Sequence, residues 1–148
     1  MYTLQLIQTV YQQICETIGT RAPECGGVLG ADEKGIITHY YFDESGKSTA
    51  SSYEPDVEQI NHVLLNDWMP QGIYMVGIVH SHANSACVPS CGDIAYGIRI
   101  LQALDTVTEF YLPIITVDGS IKLYGYILSP DPEHLFICQQ IECEIVAE

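Results

Sequence analysis

A mixed α/β domain, with one mixed, curved β-sheet flanked by about three helices in a three-layer-like arrangement, is what this 148-residue sequence predicts. Three observations point there. Stretches with apolar residues at three- and four-residue spacing alternate with short β-branched runs, as helices interleaved with strands do. Apolar residues make up 47% of the chain, enough for a core and too many for disorder. No repeat or linker-like composition divides the chain, so residues 1–148 are expected to form a single domain.

Leu4, Ile7, Tyr11, Ile14 and Ile18 lie at helical spacing, and Gly19 closes that face. After the breaker Arg21-Ala22-Pro23, Cys25 to Gly30 reads as a short buried strand whose Gly26 and Gly27 allow close approach. Asp32 to Gly35 is a turn, and Ile36 to Phe42, β-branched and aromatic, is its hairpin partner. The polar stretch Asp43 to Ser52 is expected to be an exposed, mobile loop. Asp56 caps a second helix carrying Val57, Ile60, Leu64 and Trp68, ended by Pro70-Gln71-Gly72. Ile73 to Val79 is nearly all apolar, as a central strand is. Asp93 to Leu104 forms a third helix with Ile94, Ile98 and Leu101 inward. Phe110 to Val117 and Ile121 to Leu128 are strands joined by the hairpin signal Asp118-Gly119-Ser120, and Pro113 suggests an edge-like setting for the first. From Glu133 the tail alternates weakly, with Ile141, Cys143 and Ile145 marking a last strand.

The net charge is −14, with 19 Asp+Glu against 5 Lys+Arg. A phosphate backbone would be repelled, so no nucleic-acid partner is expected. The apolar runs are too short to span a bilayer, and the N-terminus lacks the basic start and small-residue cleavage site of a secretory signal. A cytoplasmic protein without membrane association follows as the expectation, and nothing in the chain specifies an oligomeric state. Six cysteines do not imply bridges in such a setting; Cys15 and Cys25 read as small buried hydrophobes.

The chemistry concentrates between Val79 and Ile94, in VHSHANSACVPSCGDI. His80 and His82 are two apart, and Asp93 lies eleven residues beyond, three after Ser90. Two imidazoles and a carboxylate are three of the four ligands of a catalytic zinc, with the fourth position left to water. The pattern H-x-H-x7-S-x-x-D has a chance expectation on the order of 10⁻³ or less in a chain of this composition. Its position after a buried strand is where sheet proteins place sites. Other readings stay open at this level. The histidines could be satisfied locally, and Ser90-x-x-Asp93 is also a plain capping box at a helix start. Cys87 and Cys91 could join the histidines in a closed structural site, although such sets separate their cysteines and histidines more widely.

The stretch resembles the JAMM motif of the JAB/MPN metallopeptidases, which include deubiquitinating isopeptidases and small bacterial members. The resemblance extends over most of the chain: an initial helix, a strand introduced by Glu24, a central helix, then HSH and SxxD. It implies an MPN/JAB-like, cytidine-deaminase-like fold. It also implies Zn²⁺ held by His80, His82 and Asp93, with Glu24 as catalytic general base and Ser90 steadying the tetrahedral oxyanion. Where the family commonly has proline directly after HSH, this chain has Ala83. The implied activity is hydrolysis of an amide or isopeptide bond in a peptide or ubiquitin-like protein, with a ubiquitin-like or sulfur-carrier tail as substrate. A non-catalytic scaffold and a DNA-repair-associated relative of the RadC group are the competing expectations. Complete ligand and base positions weigh against the first, and the acidic charge against the second.

Overall fold

In the computed structural model the first strand, β1, is Thr3–Ile7, a segment the apolar spacing had assigned to the first helix. Leu4 and Leu6 are buried while their neighbours are partly exposed, which is the period of a strand. The helix α1 occupies only Gln8–Thr17, burying Val10 and Ile14. The structure describes residues 2–19, 24–48, 53–82, 88–103, 108–116 and 121–148.

The strands β2 (Gly26–Ala31) and β3 (Ile37–Phe42) form the expected antiparallel hairpin, with a bulge at Gly30/Ala31. The polar stretch that follows is not simply a loop. Asp43 is buried, and β4 (Lys47–Ser48) pairs with β5 (Tyr53–Glu54) in a small separate ladder; residues 49–52 lie outside the described set. Helix α2 (Val57–Val63) begins at Asp56, whose carboxylate accepts from the Gln59 N–H. It runs on through a π-helical turn to Trp68 and a 3₁₀ turn, and stops at Gly72, whose φ of +73° suits glycine.

Strand β6 (Tyr74–His82) carries both histidines at its C-terminal end, and helix α3 (Cys91–Ala103) follows. Leu104 and the proposed turn Asp118-Gly119-Ser120 lie outside the described residues. The next strand is broken into β7 (Phe110–Tyr111) and β8 (Ile114–Thr116) around Leu112-Pro113. It is not at an edge: it lies between β6 and β9 (Lys122–Asp131), and Pro113 interrupts the ladder there because it has no N–H to give. The tail forms β10 (Leu135–Val146), the longest strand.

The expectation of a three-layer α/β domain with one curved sheet, and with it the MPN/JAB-like, cytidine-deaminase-like fold that the resemblance implied, is overturned by β10. Its first half pairs antiparallel with β9 and its second half parallel with β1, so the sheet closes on itself. With β7 and β8 sharing one position, the result is a closed seven-stranded mixed barrel carrying three helices. Closure leaves no open sheet to be covered in layers on two faces.

Parity along the strands separates two sides of the wall. Leu4, Leu6, Leu29, Ile37, Val79 and Ile115 face inward and pack with Val10, Ile14 and Ile18, so α1 fills the interior side. The intervening residues face outward: Val28 packs with Ile60 and Trp68 around α2, and Ile78 packs with Phe110, Leu128 and Leu101 of α3. His80 and His82 share the parity of Ile78 and therefore belong to the outer side, beneath the start of α3. Among the described residues no helix is long and apolar enough to cross a membrane.

Candidate metal centre

Three ligand-bearing side chains converge at that point. The Nε2 atoms of His80 and His82 are 2.9 Å apart, and Asp93 Oδ2 lies 3.0 Å from the first and 3.6 Å from the second. Strand alternation puts both imidazoles on one face of β6. The two-residue spacing of the histidines makes them neighbours, and Asp93 reaches them from the first turn of α3.

A capping box fixes the carboxylate. The Ser90 N–H donates to Asp93 Oδ2 (2.8 Å), and the Asp93 N–H donates to Ser90 Oγ (3.2 Å). The cap and the ligand readings of these two residues are thus satisfied together, by one oxygen that accepts from the backbone while facing both imidazoles. Burial alone would raise the Asp93 carboxyl. The hydrogen bonds from His80 and His82, the electrostatic attraction of His80 and the Ser90 N–H reverse this and hold it well below the ordinary carboxylate range.

The donor set suits a small divalent cation. Tetrahedral coordination with bonds of about 2.0–2.1 Å sets neighbouring ligand atoms about 3.3 Å apart, and the three separations here bracket that value. His80 Nε2 is also within reach of two partners, although an imidazole nitrogen carries at most one hydrogen. A shared cation would satisfy all three atoms at once.

Ser81, between the histidines, points inward and is fully buried. Its Oγ accepts from the Cys25 N–H (3.1 Å) and its N–H donates to the Cys25 carbonyl (2.8 Å), stitching the entry of β2 to the end of β6. Gly26 pairs with His80 in the β2–β6 ladder, and continuing that register sets Glu24 beside His82 on the outer face. Glu24 is buried and lines the same cleft as His80, His82, Ser90 and Asp93. The structure therefore brings all five candidate residues to one place.

Gly26 has a reason to be glycine. A Cβ there would come within 2.4 Å of the Tyr53 ring, which forms a wall of the cleft. Tyr53 is held by Asp43, whose Oδ2 accepts from its hydroxyl (2.7 Å) and from the Asp56 N–H (2.9 Å). Burial, with that carboxylate next, pushes the Tyr53 phenol far above its ordinary value, so it stays a neutral donor. Ser81, Tyr53 and Asp43 carry no signal in sequence spacing, because their roles exist only once the register is known. Cys91 is exposed at the start of α3, outside the converging group, and Cys87 lies outside the described residues. Ala83, where the JAMM pattern commonly has proline, also lies outside them.

The cleft encloses about 620 Å³, a volume suited to a few residues of peptide. No family model matches the chain, and no curated protein matches it. Among solved structures, the solution structure of protein DSY2949 from Desulfitobacterium hafniense is similar in fold, with a TM-score of 0.73 at 17% sequence identity, over 99% of this chain and 94% of that one. At that identity the likeness is one of fold alone.

Proposed function

We propose that the chain is a zinc-dependent metallopeptidase or isopeptidase that hydrolyses an amide bond in an extended peptide tail. The C-terminal tail of a ubiquitin-like or sulfur-carrier protein is the substrate type we favour. The observation that carries the reading is the convergence of His80, His82 and Asp93 in a cleft that Glu24 also lines. The resemblance of the HSH and SxxD pattern to the JAMM motif supports it independently of fold. Two imidazoles and a carboxylate also suit Fe(II); a further buried carboxylate beside them favours hydrolysis, which needs a base.

Zinc held by the three side chains would polarise a scissile carbonyl and acidify a bound water. Glu24 would take a proton from the attacking water and return it to the leaving amine. Ser90 Oγ accepts from the Asp93 N–H, which leaves its own hydrogen to donate to a developing oxyanion.

Hydrolysis of tail-extended ubiquitin-like proteins and short peptides tests the reading. Zinc-loaded protein is expected to cleave at least one of these, to stop when zinc is chelated and to resume on its return. Protein that holds stoichiometric zinc and cleaves none of them would be an interaction scaffold instead.

A further inference from the structure

We propose that Arg99 selects substrates carrying a carboxylate two to three residues from the scissile bond; this rests on the peptidase reading above. Arg99 is the cation among the described residues that line the cleft, apart from the two histidines. The other charged groups there, Glu24, Glu54 and Asp93, are acidic. The guanidinium carbon lies 5.3 Å over the Tyr96 ring, one turn earlier on the same helix. A cation–π contact of this kind favours that placement of the guanidinium while leaving its N–H groups to face a ligand.

The surroundings make this arrangement unusual. With 19 Asp+Glu against 5 Lys+Arg, an exposed arginine has many carboxylates to choose from. Yet the ion pairs found among the described residues all use histidine. Arg99 is exposed at the cleft, lies over an aromatic ring, and forms an ion pair with no carboxylate among the described residues. In a cleft otherwise acidic, it is the group that would offset the repulsion of an anionic substrate and match a carboxylate bidentately.

Distance sets the position. Arg99 follows Asp93 by six residues, about 9 Å along the helix axis. An extended chain advances about 3.3 Å per residue, so its carboxylate would sit two to three residues from the bond being cut. A C-terminal main-chain carboxylate and an Asp or Glu side chain offer the same chemistry.

The test uses matched peptides built on any sequence the zinc-loaded full chain cleaves. One set carries Glu or Gln two and three residues from the cut on either side, and the other has a free or an amidated C-terminus at that distance. We expect kcat/KM to favour the carboxylate form by about tenfold, through KM. In Arg99→Gln the ratio should fall to near one, and in Arg99→Glu it should invert. The favoured set identifies the source of the carboxylate. Equal ratios in wild type and Arg99→Gln would overturn the proposal while leaving the peptidase intact.

If nothing is cleaved, binding decides. Acetyl-Gly-Glu-Gly-amide, acetyl-Gly-Gly-Gly with a free carboxylate and acetyl-Gly-Gln-Gly-amide are titrated into zinc-loaded Glu24→Gln protein, with and without Arg99→Gln. Any binding of carboxylate to zinc is common to both proteins and cancels. Tighter binding of a carboxylate peptide that disappears with Arg99→Gln, and perturbation of Tyr96 ring resonances, would support the site. Equal binding in both proteins would overturn it.

Discussion

Glu24→Gln is expected to hold zinc as the wild type does and to hydrolyse its substrate 10²–10⁴-fold more slowly, the usual contribution of a positioned general base. The change keeps size and shape, so the β2 entry held by Ser81 has no reason to move. It removes the negative charge and with it the ability to accept a proton. Because Glu24 is buried beside the ligands, water from bulk solvent is poorly placed to take over its role. Metal analysis alongside single-turnover kinetics checks this. Hydrolysis within a few-fold of wild type would remove Glu24 from the chemistry, and loss of zinc would make it a ligand instead of a base.

His82→Ala should abolish stoichiometric zinc binding, with affinity falling by at least about a hundredfold. Altering an outer partner of a ligand already costs 10–100-fold, and removing a ligand leaves only His80 and Asp93. Stability reads the same loss. A ligand at about a thousand times its Kd stabilises the folded chain by about 4 kcal/mol, which for a domain of this size raises Tm by about 8–16 °C. Added zinc should give such a rise in the wild type and none in His82→Ala. Thermal melts with and without zinc, at neutral pH where imidazoles are free to coordinate, provide the comparison. An equal zinc-dependent rise in the variant would place the metal elsewhere.

Much of the site was legible because its parts are local. The apolar run of β6 ends in HSH, and two-residue spacing on any strand puts both imidazoles on one face. SxxD at a helix start aims the aspartate back toward the strand it follows. Glu24 was legible only by resemblance, since its position beside His82 depends on pairing across more than fifty residues. The same limit hid the barrel. Nothing local in Leu135–Val146 says that its first half pairs with β9 and its second half with β1 at the other end of the chain. Leu4 and Ile7 fitted helical spacing, and only the parallel partner strand made Leu4 and Leu6 a strand face. Asp43 looked like loop because its composition is polar; its burial comes from the Tyr53 and Asp56 groups it receives.

On the proposed reading one metal ion joins His80, His82 and Asp93. X-ray absorption at the zinc edge of the zinc-loaded protein tests this. A first shell of nitrogen and oxygen only is expected, at about 2.0–2.2 Å, with the outer-shell scattering of two imidazoles. A sulfur contribution at about 2.3 Å would assign the metal to cysteine, and fewer than two imidazoles would contradict the site built here from β6 and α3.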